Sequence, residues 1–208
     1  MKIETLCKQT VEVPVSEACV HVQVYVEGAT TEECGKQAET AVAEVLAEYS
    51  ENFDNIRETT IALSQLRCVN GDGSVSAEYG CDFVVVSDLA NSLIVLNSCC
   101  CTCRDNVVLT GWEVYPSKED VSSAIEEALS LAFDCAKHEI DTIAQKADAG
   151  VVSVISVSFK GAVDDNLISV VSLPDVSSDS REAILGKIQD IIPKSVYLSR
   201  VVSMSAEC

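Results

Sequence analysis

A run of valines at every second position constrains the fold more than any other feature of this chain. In Cys19–Glu27 the valines alternate with polar or amphipathic side chains: Val20, Val22, Val24 and Val26 against His21, Gln23, Tyr25 and Glu27. A period of two predicts a β-strand with one face buried, and that face needs a covering layer. Lys2–Val13 is the predicted partner strand, joined to it through Pro14–Glu17.

Two helices supply candidate covering layers. Thr30 followed by Glu33 has capping-box spacing and predicts a helix that ends near Ser50–Asn55. Ser117 followed by Asp120 predicts the start of the longest helix, which continues to about Ala149 with Gly150 as the residue after its end. Small residues recur every fourth position of this helix, and such a stripe permits close packing on a sheet: Ala124, Ala128, Ala132 and Ala136.

The rest of the chain continues this mixture of strands and helices. A hairpin is predicted from Ile56–Val69 and Ser74–Val86 around the turn Asn70–Gly73. Two further helices are predicted, a short one from Ser87 and Asp88 to about Ser98 and one from Asp179 and Glu182 that Pro193 ends. The remaining predicted strands are Val107–Tyr115, Val151–Phe159, Leu167–Leu173 and Val196–Met204. Trp112 is expected in the core. The order predicts an α+β fold, with mainly antiparallel sheets covered by long helices. We expect a single domain over 1–208, with 1–86 and 87–208 as candidate sub-parts.

Charge and hydropathy exclude several classes of partner. Lys and Arg number 14 against 33 Asp and Glu, which gives a formal net charge of -19. A chain this acidic is a poor ligand for nucleic acid or for an anionic membrane surface. No apolar run is long enough to predict a membrane-spanning helix, and the first fifteen residues show no apolar signal region. We therefore expect a cytoplasmic protein without membrane insertion, or a periplasmic or secreted one if a leader has been removed.

The chain contains 11 cysteines, an odd number, and four of them lie close together at Cys99, Cys100, Cys101 and Cys103. A chain of this size with ample apolar residues does not need a disulfide scaffold, so we expect small buried thiols. Four neighbouring thiols could also bind Cu(I) or Zn(II) or respond to oxidation. The spacing lacks the second distant pair of a standard zinc motif, and the other interpretation is that these small side chains fill space at a helix end.

Histidine-based catalysis has few candidates, because the chain contains 2 histidines. His21 lies on the polar side of the valine strand, and His138 follows Asp134 by one helical turn, as a surface pair would. A Cys–His nucleophile would require folding to bring Cys19 or Cys135 to a histidine. The sequence therefore predicts no catalytic residues, no cofactor-binding residues and no cofactor.

Three stretches, together with the element order, resemble the SIMPL domain family. They are Val11-Glu12-Val13-Pro14 with the valine strand and the Glu-rich helix, Phe83–Leu89 followed by Asn106–Val114, and Ala144–Gly150 followed by Val151–Val157. The family includes bacterial periplasmic immunogenic and oxidative-stress-defence proteins, and animal proteins that bind an interleukin-receptor-associated kinase. The cysteine cluster is not a feature of this family.

The resemblance implies a two-part α+β fold, a tendency to self-associate and no catalytic residues. We therefore expect a non-enzymatic protein that acts as a homo-oligomer or by binding a protein partner, with a link to stress defence. The alternative is a thiol-based metal-binding or redox-responsive protein that uses Cys99, Cys100, Cys101 and Cys103.

Overall fold

A computed structural model describes residues 1–67, 74–103, 106–150, 152–161, 167–171 and 181–207. The strands are β1 Lys2–Pro14, β2 Glu17–Gly28, β3 Ile56–Arg67, β4 Val75–Val86, β5 Val107–Tyr115, β6 Ser153–Gly161, β7 Ser169–Val171 and β8 Ser195–Glu207; the helices are α1 Thr31–Ser50, α2 Leu89–Cys103, α3 Lys118–Lys146 and α4 Arg181–Ile191. All strand pairs in the two sheets are antiparallel. The expected α+β class and the expected order of elements are confirmed.

The chain forms two compact units that are interleaved along the sequence. Unit 1 contains Met1–Val15, Pro116–Leu167 and Lys194–Cys208, whereas unit 2 contains Ser16–Tyr115 and Ile168–Pro193. The division therefore does not coincide with a cut after residue 86.

Unit 1 is a three-stranded sheet in the order β1-β8-β6, with α3 packed on β1 and β8. The alanine stripe of α3 faces this sheet: Ala128, Ala132 and Ala136 are each 0% exposed. The apolar side chains of β1 and β8 that share a cluster with the stripe are Ile3, Cys7, Val202, Met204 and Ala206. The small side chains thus allow the helix backbone to lie close to the two strands.

The predicted pairing of Lys2–Val13 with the valine strand is wrong. β1 pairs with β8 over its whole length, from Lys2 opposite Glu207 to Pro14 opposite Ser195. A short connection permits a hairpin but does not require one, and partner choice depends on which apolar faces meet. Here the buried side of β1 matches that of the last strand of the chain.

The two ends of α3 follow from local hydrogen bonds. At its start the Ser117 side chain accepts a hydrogen bond from the Asp120 N–H, as the capping spacing predicts. At its end the N–H of Ala149 donates to the Ala144 carbonyl and that of Asp148 to the Gln145 carbonyl, which is a Schellman motif. Asp148, with φ 52°, occupies the left-handed position that the sequence assigns to Gly150. The prediction for Gly150 is therefore wrong by two residues. Asp148 can occupy this position because Asp tolerates the left-handed backbone region better than most side chains do.

Unit 2 contains a five-stranded sheet in the order β3-β4-β2-β5-β7. The valine side of β2 is buried under α1 and α2, and Trp112 of β5 is 0% exposed, as expected of a core residue. The Thr30 side chain caps α1 by accepting from the Glu33 N–H, and the Glu33 carboxylate accepts from the Ala29 N–H. The predicted turn Asn70–Gly73 lies outside the described residues.

The helix α2 is longer than the sequence indicates. It continues beyond Ser98 through Cys103, so the cysteine run lies inside its last turns and does not follow the helix. The spacing of its apolar residues predicts Leu89, Leu93, Ile94 and Leu96 on the inner side; the three leucines are buried, whereas Ile94 is only half-buried. Over the described parts of the chain, no helix combines the length and the apolar character that crossing a bilayer requires.

Candidate functional site

Titratable side chains converge on the outer face of the unit 2 sheet, the face opposite α1 and α2. Cys19 and His21 are two residues apart on β2 and therefore point to the same side. Asp82 lies directly opposite His21 on β4, and Glu113 lies directly opposite Cys19 on β5. We refer to Cys19, His21, Asp82 and Glu113 as the outer-face cluster.

Three members of this cluster are in close proximity. His21 Nδ1 and Asp82 Oδ1 are 2.8 Å apart, and the side chains of these residues are 37% and 49% exposed. One donor atom each from Cys19, His21 and Asp82 lies within 4.8 Å of the other two. A sulfur, a nitrogen and an oxygen thus meet on two neighbouring strands in a position that solvent can reach.

Burial and nearby charge both favour the neutral thiol of Cys19. Burial, followed by the carboxylates of Asp82 and Glu113, raises its pKa to about 11. The thiolate is the nucleophilic form of cysteine, and it is scarce at neutral pH when the pKa is this high. The proximity of Cys19 to His21 therefore does not produce an activated nucleophile of the Cys–His type.

An ion pair borders the cluster on the same side of β2. Arg57 on β3 donates to both carboxylate oxygens of Glu17 at 2.7 and 2.8 Å, and Glu17 is 4% exposed. The pKa of Arg57 is raised chiefly by its hydrogen bonds to Glu17. Burial raises the pKa of Tyr115, with Cys19 and Glu17 adding to it. Glu17 and Arg57 lie on strands separated by β4, so the pair fixes the spacing of three strands.

The structure separates three of the thiols that the sequence places together: Cys99, Cys100 and Cys101. Cys99 and Cys100 are 2% and 1% exposed, whereas Cys101 points to solvent. Successive residues of a helix are rotated by about 100° around its axis, so neighbouring thiols cannot all face one ion. The side chain of Cys103 is outside the described part. The burial of Cys99 and Cys100 favours the interpretation that these two thiols fill space in α2.

Burial also accounts for other cysteines. Eight cysteines are described as thiols without a disulfide, and five of these are buried: Cys7, Cys34, Cys81, Cys99 and Cys100. For these five the expected role as small buried apolar side chains is confirmed. In unit 1, donor atoms of Cys7, Cys135 and Glu139 lie within 4.8 Å of one another, and Thr5 donates a hydrogen bond to Glu139. Burial, followed by a hydrogen bond with Cys135, raises the pKa of Cys7 to about 11.

The sequence placed His21 correctly on the polar side of its strand but did not identify the group around it. Asp82 and Glu113 were missed, because each belongs to a strand whose register against β2 is visible only in the fold. The available signal was the alternation of β4, in which Asp82 falls between the buried Cys81 and Phe83. His138 and Asp134 are both exposed on α3, as a surface position requires.

Apolar side chains also remain exposed on the edge strands of both units, singly at Leu6 of β1 and Val170 of β7 and in larger sets on β3 and β6. β3 is an edge of the unit 2 sheet and β6 is an edge of the unit 1 sheet. The exposed apolar residues are Ile61, Leu63 and Leu66 on β3 and Val154, Ile155 and Phe159 on β6. We call these two sets the β3 strip and the β6 strip.

No family model matches the sequence, and no curated protein matches it. The resemblance to the SIMPL domain family therefore stays a prediction from the residues that carry it.

Proposed function

We propose that this is a non-enzymatic protein of the SIMPL type that acts by self-assembly, with a second copy of the chain bound at its exposed strand edges. The observation that carries the proposal is the pair of strips on β3 and β6. Exposed edge strands offer unpaired backbone groups to another chain, and apolar side chains beside them add a favourable burial term.

The position of each strip explains why it is exposed. Leu63 lies opposite Tyr79 and Leu66 lies opposite Ala77, so the β3 strip is on the side of the sheet that α1 covers. However, α1 packs on β2 and β4. A second element laid beside α1 would extend the buried layer over β3.

The β6 strip repeats this arrangement in unit 1. Val154 lies opposite the buried Ala206, and Phe159 lies opposite the buried Val202. The covering helix α3 packs on β1 and β8, and Phe159 is 57% exposed. In both units an apolar surface thus continues beyond the helix that begins to cover it.

Charge supports a second copy as the occupant. Two copies with a net charge of -19 repel each other, so they can approach only where the local charge is low or positive. β6 contains one charged residue, Lys160, and β3 contains Arg57 and Arg67 against Glu58. Repulsion between two copies is therefore weak at these edges, and added salt should strengthen the association.

The test is the molar mass of the reduced protein, measured by light scattering over a range of protein concentrations at low and at high salt. We expect a mass above that of one chain that increases with both variables. Phe159→Glu and Leu63→Glu should each lower the mass, because each places a like charge inside the proposed contact. Leu131→Glu is the matched control, since Leu131 is 45% exposed but lies on α3. A single-chain mass under all conditions would contradict self-assembly and would leave a different protein as the occupant.

We also propose a reducing compartment such as the cytoplasm, because the eight cysteines whose side chains are described are free thiols and five of them are buried.

A further inference from the structure

The outer-face cluster presents a donor set that suits one class of ligand. Cys19, His21 and Asp82 offer a thiol sulfur, an imidazole nitrogen and a carboxylate oxygen, with one donor atom of each within 4.8 Å of the others. Ions of borderline softness accept all three donor types, whereas Ca²⁺ and Mg²⁺ select oxygen. We propose that Cys19, His21 and Asp82 bind a divalent transition-metal ion, with Zn²⁺ as the physiological candidate.

The distances permit this coordination after a small adjustment. Tetrahedral Zn²⁺ with the usual bond lengths places neighbouring donor atoms roughly 3.3–3.6 Å apart. The contact between His21 Nδ1 and Asp82 Oδ1, at 2.8 Å, must therefore open by roughly half an ångström. Both side chains are more than a third exposed and can make this movement without disturbing the core. Three protein ligands leave a fourth position for water.

The local charge attracts a cation to this point of the sheet. Asp82 lies opposite His21 on β4 and Glu113 lies opposite Cys19 on β5, so two carboxylates flank the thiol and the imidazole. A bound divalent ion offsets the charge of both carboxylates and stabilises the thiolate that coordinates it. Glu113 is opposite Cys19 on β5 and acts here as a source of negative charge beside the ligands.

The backbone that carries the proposed ligands is held on both sides, and the site can be reached from solvent. β2 is hydrogen-bonded to β4 on one side and to β5 on the other, so the backbone that carries Cys19 and His21 is held from both sides. Gly111 lies opposite His21 on β5, and a Cβ atom added there would meet nothing within 4 Å. An ion and its water can therefore enter from that side. This surface is the outer face of the sheet and not one of the strips, so the proposal does not depend on self-assembly.

The test is a titration of the full-length reduced protein with Co²⁺, followed by displacement with Zn²⁺. Tetrahedral cobalt with a thiolate ligand gives a sulfur-to-metal charge-transfer band and strong visible bands. We expect these bands in the wild-type protein and their loss when Zn²⁺ is added. Cys19→Ser should abolish the charge-transfer band, and His21→Gln and Asp82→Asn should each weaken Zn²⁺ binding by at least about tenfold.

Two controls distinguish this site from the other thiols. Cys135→Ser alters the thiol group of unit 1, and Cys101→Ser removes the exposed thiol of α2; both should bind cobalt as the wild type does. Far-ultraviolet circular dichroism and the emission of Trp112 show whether each variant is folded. A wild-type protein without the charge-transfer band, or a band that persists in Cys19→Ser and disappears in either control, would overturn the proposal. Because His21→Gln and Asp82→Asn change half-exposed side chains, they keep the test decisive if Cys19→Ser fails to fold.

Discussion

The alanine stripe of α3 makes a quantitative prediction about the stability of unit 1. Ala132 and Ala136 are both 0% exposed and share a cluster with Cys7 of β1 and Val202 of β8. Replacement of Ala132 by Leu adds three carbon atoms where the helix lies against two strands. The helix must then move outward or the neighbouring side chains must leave their preferred rotamers.

We expect Ala132→Leu to lower the free energy of unfolding by about 1–3 kcal/mol, the usual range for overpacking a well-filled core. Intrinsic helix propensity contributes only a few tenths of a kcal/mol, because Leu is nearly as good a helix former as Ala. With a urea dependence of about 2 kcal/mol/M, the midpoint of unfolding should fall by roughly 1 M.

Urea unfolding followed by far-ultraviolet circular dichroism measures this change. The single tryptophan, Trp112, belongs to unit 2, so its emission shows whether the effect extends beyond unit 1. Ser130→Leu is the matched control, because it adds the same side chain to α3 at an exposed position. If Ala132→Leu unfolds at the same urea concentration as Ser130→Leu, the close approach of α3 to its sheet is refuted.

Two further predictions concern the backbone and the buried thiols. Asp148→Gly should stabilise the protein by about 0.5–1 kcal/mol and Asp148→Ala should destabilise it, because φ is 52° at this position. Thermal unfolding of the two variants checks the sign, and equal melting temperatures would contradict the prediction. Burial, with a smaller effect of Asp82, raises the pKa of Cys81 from 9.0 to about 12, so the folded protein keeps a proton that the unfolded chain loses. This contribution to stability is complete below about pH 9 and is lost as the pH rises towards about 12. Between pH 8 and pH 10 the urea midpoint should therefore fall further for the wild type than for Cys81→Ala. An equal fall in both proteins would rule the effect out.

Features determined by near neighbours were predictable from the sequence. The caps at Thr30 and Ser117 depend on hydrogen bonds between residues three apart, and the buried side of β2 follows from its alternation. The start of α3 and the burial of Trp112 were predictable for the same reason. Such signals need no knowledge of what lies across the sheet.

Features determined by distant pairings were not predictable. The partner of β1 is the strand that ends the chain, and no local pattern specifies it. The meeting of Asp82 with His21 depends on the register of β4 against β2, and a slip by one residue would move Asp82 to the opposite face of the sheet. The outer-face cluster therefore emerges only once both registers are known.

The strand order of unit 1 has a consequence for synthesis on the ribosome. β8 is the central strand of the β1-β8-β6 sheet, and it is translated after both of its neighbours and after α3. The nascent chain must carry β1, β6 and the apolar side of α3 without their common neighbour until β8 emerges from the ribosome. Unit 1 should therefore form only after β8 has emerged, whereas the consecutive strands β2 to β5 can associate earlier in translation. During that interval β1, β6 and the apolar side of α3 can bind a chaperone that recognises apolar, extended polypeptide.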